Sequence, residues 1–259
     1  MRALDVLRQA DEILAEDTRV ARKLLDAYDI RTKITPYHDH NGSQRRPQIL
    51  AQLDAGLSIA LISDAGTPLI SDPGWKLARD VIQAGHRIIP LPGASAMLAG
   101  LVTSGLPTDK FMFCGFLPSR SAARIKAATS LAMVPASLIF YESGARLATC
   151  LQDLASSLGG NREAAIGREL TKLFEETRRG TLAELTAAYQ TLPTPKGEIV
   201  LMVGPPPETE PSDEDIDNAL REAMADKSVK AAVTEIAEAL NLPRRRVYQQ
   251  ALALKNVSE

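Results

Sequence analysis

The 259-residue sequence predicts an α/β protein: two α/β domains with parallel or mixed sheets, followed by a helical appendage. Three observations carry that expectation. Short, continuously apolar, β-rich runs alternate with amphipathic stretches, the rhythm of strands covered on both faces by helices. The hydrophobic fraction of 45% suits a globular chain of about two cores. Gly204-Pro205-Pro206-Pro207 stops the last apolar run, and only helical patterns follow it.

Along the chain, Ser58–Ser63, His86–Leu91, Phe111–Phe116, Ser137–Tyr141 and Glu198–Val203 read as strands. Their unbroken apolar character points to parallel pairing. Trp75–Gln83, Ala94–Thr103 and Arg146–Leu158 read as helices. The helical pattern ends at Gly105-Leu106-Pro107, so the domains are placed at 1–107 and 108–204, with a linker over 205–214 and helices over 215–259. Within the last segment, Val229–Leu240, the turn Asn241-Leu242-Pro243 and the helix opening at Arg244 resemble a helix-turn-helix. Arginines at a helix N-terminus oppose the macrodipole unless phosphate compensates. Arg244 and Arg245 are therefore candidate nucleic-acid contacts, the alternative being an appendage that packs or dimerises.

Composition excludes several classes. No run approaches the roughly 20 apolar residues of a membrane helix, and the first residues do not read as a signal peptide. Cys114 and Cys150 stand apart, without the paired spacing of a zinc site or disulfide framework. These features fit a cytoplasmic protein. The net charge of −2 excludes a uniformly basic nucleic-acid binder. Residues 1–107 hold 12 basic and 12 acidic side chains, 108–204 hold 11 and 9, and 205–259 hold 7 and 11. A polyanion must therefore meet a local patch.

No GxGxxG or P-loop pattern is present. The run Ser58–Ser63 instead opens into Asp64-Ala65-Gly66-Thr67-Pro68-Leu69-Ile70-Ser71-Asp72-Pro73-Gly74. Ligands of open α/β sheets bind at the carboxyl ends of strands, where Gly admits close backbone approach and Asp, Ser and Thr offer short polar groups. A structural turn with Asp72 as a cap is the plainer alternative. Leu91-Pro92-Gly93-Ala94-Ser95-Ala96 ends the next run in a comparable loop.

These two loops, with Phe113–Pro118 (FCGFLP), resemble the tetrapyrrole methylase superfamily. Within it the chain is most similar to the ribosomal RNA methyltransferases that modify a cytidine ribose in 16S rRNA. Glu16–Arg19, Tyr37–Asn41, Phe140–Ser143, Arg168–Lys172 and Lys196–Glu198 extend the likeness over about three quarters of the chain. The resemblance implies S-adenosylmethionine as cofactor between two domains, and a homodimer. By position, Asp64, Ala65, Gly66, Thr67 and Ser95 line its methionine end. Tyr141, Glu142, Leu170 and Thr171 come from the second domain, near the adenine. The chain departs from the family in reading Ser143-Gly144-Ala145-Arg146, where Ser-Pro-His-Arg is usual. The family pattern also places a strand and a Gly-Asn-Leu-Gly-Asp loop ahead of the helix that here begins Met1-Arg2-Ala3-Leu4, so the first domain is expected to be truncated at its start.

Transfer to a ribose hydroxyl needs in-line placement and a route for the proton. Glu142 and Lys172 are the expected active-site residues, neither assigned as the base; Lys172 acts through a depressed pKa or binds phosphate. The charged run 168–172 alternatively reads as an exposed edge strand. His38-Asp39-His40 lacks further ligands for a metal, so no metal is expected. Tyr37, His38 and Asn41 are candidate RNA contacts by stacking and hydrogen bonding, as are Arg19 and the cluster Arg120, Arg124 and Lys126. A tetrapyrrole-precursor methyltransferase and an inactive cofactor- or RNA-binding relative are the alternative functions.

Overall fold

Helix α1 (Arg2–Gln9) leads into β1 (Glu12–Ala15), a strand buried along its whole length. Asp17 caps α2 (Thr18–Ala27), which crosses to β2 (Lys33–Pro36), and α3 (Gly42–Asp54) crosses to β3 (Ile59–Ile62). Both strands pair with β1 in parallel, giving the order β2-β1-β3. Leu14 packs with Ile49 of α3 and with Leu77 and Val81 of α4 (Trp75–Gln83). Ile13 packs on the other face with Leu7, Leu25 and Ile30.

The computed structural model describes residues 2–38, 40–207, 212–240 and 242–257, except the side chains of 255–257. Asp39, Asn241 and linker positions 208–211 thus lie outside the described residues. The expected strand over 86–91 joins no ladder among them, and Ile88 and Ile89 are 45% and 55% exposed. An apolar, β-prone run becomes a strand only where a neighbour's backbone groups meet its own.

Helix α5 (Ala96–Ser104), capped by Ser95, precedes β4 (Phe111–Phe116), α6 (Ser121–Thr129), β5 (Ser137–Ser143) and α7 (Gly144–Leu158). Then follow β6 (Glu163–Arg168), β7 (Glu176–Thr181), α8 (Leu182–Thr191) and β8 (Glu198–Val203). The sheet order is β4-β5-β8-β6-β7, with β4–β5 parallel and the other pairs antiparallel. The expected parallel and mixed sheets are thus both present, the first sheet parallel and the second mixed; the parallel pairing expected of the apolar run Glu198–Val203 is instead antiparallel on both sides. Strands β1, β2, β6 and β7 carried no continuous apolar run long enough to announce them; β7 (ETRRGT) is a charged edge strand.

The two faces of this sheet have different neighbours. Leu138, Phe140, Ile166 and Leu201 pack with the helices α6, α7 and α8. Ile139, Ala165, Val200 and Met202 pack instead with Leu101 of α5. A Cβ on Gly100 would meet Met202 and Val200 at 3.0 Å, so glycine lets α5 lie close to the sheet. Arg179 of β7 donates to the Thr103 and Ser104 carbonyls at the end of α5.

Contacts divide the chain into Met1–Pro206 and Pro207–Glu259. The second unit holds α9 (Asp213–Asp226), α10 (Val229–Ala239) and α11 (Arg244–Val257), packed through Ile216, Leu220, Val233, Ile236, Val247 and Ala251. Ser212 and Asp215 form a capping box at the start of α9. No helix among the described residues is long and apolar enough to cross a membrane.

Candidate active site

Because β1, β2 and β3 are parallel, the loops that open at 16–17, 37–38 and 63–74 share one sheet edge. The last is contorted: Gly66, Leu69, Ser71 and Gly74 have φ of 70°, 75°, 59° and 124°. Two non-glycine residues in the left-handed region cost about 1–2 kcal/mol each, and such strain clusters at functional sites. Gly74 is required twice over, since a Cβ there would also lie 2.8 Å from Leu61. The Thr67 hydroxyl donates to the Ala94 carbonyl at 3.3 Å, joining this loop to the one before α5. There Ser95 accepts from the Leu98 N–H at 3.4 Å.

The loop also meets the second sheet. Strand β4 has a bulge between Phe113 and Gly115, and a Cβ on Gly115 (φ 64°) would lie 3.3 Å from the Ser71 hydroxyl. Phe113 and Phe116 set their rings edge-on to Tyr141, with centroids 4.9 and 5.6 Å away. Burial pushes the Tyr141 phenol up, opposed by the facing Met97 amide and aided by the charges of Asp72 and Glu198. It stays a protonated donor. Asp72 is likewise pushed up, by burial first and by Asp64 beside it, against a hydrogen bond from Ser63. Tyr141 thus packs with Ala96 and Met97 of α5 and with Leu170 in one apolar cluster, while the charges of Asp72 and Glu198 act on its phenol.

From the far side, the segments 168–172 and 196–198 form one knot. Arg168 Nε donates to the Lys196 carbonyl at 2.8 Å, and the Glu169 N–H to the Glu198 carbonyl at 3.0 Å. The Glu198 N–H returns to Glu169 Oε1 at 2.9 Å. Only glycine fits at 197 (φ 99°), because a Cβ would sit 2.5 Å from the Glu169 side chain. Leu170 turns inward onto Gly167, while Thr171 is exposed at φ 65°. The run is a loop beyond β6, not an edge strand.

The geometry corrects several expectations. Lys172 Nζ lies 2.9 Å from Glu198 and 3.0 Å from Glu169, and these bonds raise its pKa. It is a held cation, not a depressed-pKa base. Glu142 lies on the opposite face of β5 from Tyr141, buried against α7. Its Oε1 accepts from the Ser143 N–H at 2.8 Å and pairs with Arg146 at 3.2 Å. Burial and the Glu142 charge push Cys150 up to about 12. Adjacent strand residues point to opposite faces, so Tyr141 and Glu142 cannot both face α5.

Arg124 is only 3% exposed: it pairs with Asp153 at 2.7 Å and donates to the Pro118 and Ser119 carbonyls. It is structural, whereas Arg120 and Lys126 are exposed. The Tyr37 ring is 3% exposed within the first core, so it offers no stacking face. Asn41 shapes its own loop, accepting from the His38 N–H and donating to the Pro36 carbonyl, both at 3.0 Å. His38 and His40 lie ring edge to face at 5.9 Å. No group of three metal-ligating side chains occurs among the described residues. Arg19 is exposed and bound to Asp17 at 2.7 Å, which draws that carboxyl down to about 2. Arg244 and Arg245 are exposed at the start of α11, and Arg246 is paired with Asp213 at 3.1 Å. Asp72, which in the sequence reads as the cap of a structural turn, is the second carboxylate of this loop, half-buried near Asp64.

Comparisons agree with this architecture. The family model of tetrapyrrole (corrin/porphyrin) methylases matches residues 1–186, and that of the RsmI C-terminal HTH domain matches 210–255. Ribosomal RNA small subunit methyltransferase I of Mesorhizobium japonicum is 48% identical over 100% of this chain and 88% of the relative. The proteins of that name from Synechocystis sp. (45%; 98% and 92%) and Escherichia coli O157:H7 (40%; 97% and 88%) are similar over comparable spans. Among solved structures, diphthine synthase superposes with a TM-score of 0.58 at 13% identity, covering 79% of this chain and 83% of that one. Uroporphyrin-III C-methyltransferase from Thermus thermophilus complexed with S-adenosyl homocysteine gives 0.51 at 17%, over 78% and 89%. At these identities the structural likeness is one of fold. With its methylase domain, its C-terminal helices and its full-length relatives, the chain belongs to the tetrapyrrole methylase family, as a methyltransferase of the ribosomal RNA small subunit methyltransferase I type.

Proposed function

We propose that this protein transfers a methyl group from S-adenosylmethionine to the 2′-hydroxyl of a cytidine ribose in 16S rRNA. The observation that carries the reading is the packing of Tyr141 with Ala96 and Met97 at the start of α5 and with Leu170 of the 168–172 knot, beside a β4 bulge that meets Ser71 of the 63–74 loop, in a chain whose full-length relatives bear that name. The residues suit the cofactor. Asp64, Asp72 and the Ser and Thr oxygens complement a sulfonium, and Gly66 has nothing within 4 Å of a Cβ, leaving backbone open to a ligand. Tyr141, Leu170 and the β4 rings offer an apolar wall to an adenine, with Thr171 and Ala65 supplying backbone groups.

S-adenosylmethionine, when bound, supplies a methyl group on a good leaving group. The protein's own task is to orient the hydroxyl and accept its proton. Asp72 is the carboxylate suited to that: half-buried in the 63–74 loop, near enough to Tyr141 for its charge to act on the phenol, with a raised affinity for protons. Lys172, held between Glu169 and Glu198, fixes the loop that carries Leu170 and Thr171. Arg19, His38, Arg120, Lys126, Arg244 and Arg245 are the proposed RNA contacts. We infer a cytoplasmic location from that proposed substrate.

The test is incubation with labelled S-adenosylmethionine and undermethylated small ribosomal subunits. Label in a cytidine ribose is the expected result. Label only in a tetrapyrrole precursor, or cofactor binding without transfer, overturns the reading.

We further infer a homodimer. Its support is apolar surface on this unit: Leu98 and Val102, one turn apart on α5, are 47% and 75% exposed, and Leu173 and Phe174 are 90% and 67% exposed. Sedimentation at micromolar concentration is expected to give twice the chain mass, and Val102→Glu to give the monomer. A monomeric parent protein contradicts it.

A further inference from the structure

The chain's single tryptophan, Trp75, opens α4 and is 51% exposed. A large aromatic ring is ordinarily kept from water, so one held at a sheet edge beside a ligand loop asks for an occupant. Two cations attend it: Lys76 Nζ lies 5.7 Å and the Arg79 guanidinium 5.4 Å from the ring centroid. Beside the ring opens a cleft of about 120 Å³ lined by Tyr37, Gly42, Ser43, Arg46, Gly74 and Lys76. Glycine keeps it open, since a Cβ on Gly42 would come within 3.3 Å of the Tyr37 hydroxyl. Arg46 pairs with Asp80 at 2.7 Å, and Arg79 reaches the same carboxylate at 3.6 Å. Among the described residues, Arg46, Lys76 and Arg79 thus stand with the Asp80 carboxylate around an aromatic face and a polar slot.

We propose that Trp75 and this cleft form a subsite for one unpaired nucleobase of the RNA, stacked on the indole, with Lys76 and Arg79 meeting the adjoining phosphates. The proposal rests on the reading of the protein as an RNA methyltransferase. Base stacking on an aromatic ring tolerates any base, while cations beside it favour a polyanionic strand over an uncharged partner. In a duplex the bases are already stacked, so the subsite selects single-stranded RNA. A second copy docked here about a two-fold axis would bring these cations toward their own copies, which disfavours self-association at this face.

Because Trp75 is the sole tryptophan, its emission reports on this subsite alone. A single-stranded oligoribonucleotide bearing a terminal dye is titrated into the protein, and indole emission and dye anisotropy are read together. The expected result is quenching that follows the anisotropy rise, and no quenching by the same sequence as a duplex. Trp75→Ala is expected to weaken binding about 10-fold, and Trp75→Phe to keep most of it. An anisotropy rise with unchanged emission overturns the subsite while leaving RNA binding intact. Emission that responds to protein concentration and not to RNA also overturns it, in favour of a second copy. If neither RNA binding nor methyl transfer to small subunits occurs, the RNA reading itself fails and the subsite falls with it.

Discussion

Asp72→Asn is expected to slow single-turnover methyl transfer by about 10²–10⁴-fold at neutral pH, the usual contribution of a positioned proton acceptor. The same variant is expected to melt at a higher temperature than the parent protein. Both follow from one cause. Burial and the neighbouring Asp64 charge raise the Asp72 pKa above its ordinary value of 3.8, with Ser63 only partly opposing them. A carboxyl whose pKa is raised on folding contributes stability below its unfolded pKa and loses it as pH rises through the folded one. At neutral pH the ionised group therefore costs stability, and the neutral amide removes that cost. The melting difference should close as pH falls below about 4, where the parent is protonated in both states. The parent's rate should rise with pH along a limb set by the raised pKa, and the variant should lack that limb. An unchanged rate in Asp72→Asn would exclude Asp72 as the proton acceptor; a lower melting temperature would contradict its charged, half-buried state.

Arg124→Ala is expected to cost about 3–5 kcal/mol of unfolding free energy, the typical loss when one member of a buried ion pair is removed. The guanidinium is 3% exposed and satisfies Asp153 together with the Pro118 and Ser119 carbonyls. Its removal leaves a largely buried carboxylate on α7 and two free carbonyls at the turn after β4. Replacing both partners at once, as Arg124→Met with Asp153→Leu, should recover most of the loss, since no charge is then stranded. Urea unfolding measures all three. Arg120→Ala and Lys126→Ala should instead change stability by no more than about 0.5 kcal/mol and weaken RNA binding. If Arg124→Ala proves as stable as the parent, the ion pair is not the anchor between α6 and α7.

Three arginines or lysines within seven residues read alike in a sequence, and their different fates show what a linear pattern omits. Arg120 and Lys126 are at the surface, whereas Arg124 is one turn along α6 on the face that meets α7. Its partner Asp153 is 29 residues away, so no local spacing announces the pair. Tyr141 and Glu142 pose the same problem at closer range. The motif presents them together, but a strand sends consecutive side chains to opposite faces. Which face meets α5 depends on the packing of the whole sheet.

Read alone, the sequence determined the α/β class, the helices 75–83 and 144–158 nearly to the residue, the late helical unit, and the polar loop after β3. These depend on periodicity, capping residues and glycine–proline punctuation, all of which act within a turn or two of the chain. Only the tertiary structure decided that 86–91 forms no ladder, which of the two sheets is mixed, that Lys172 is a held cation, and that Tyr141 faces α5 while Glu142 faces α7. Strand pairing, burial and charge pairing are made between residues far apart in sequence, so their outcome is a property of the folded chain and not of any stretch of it.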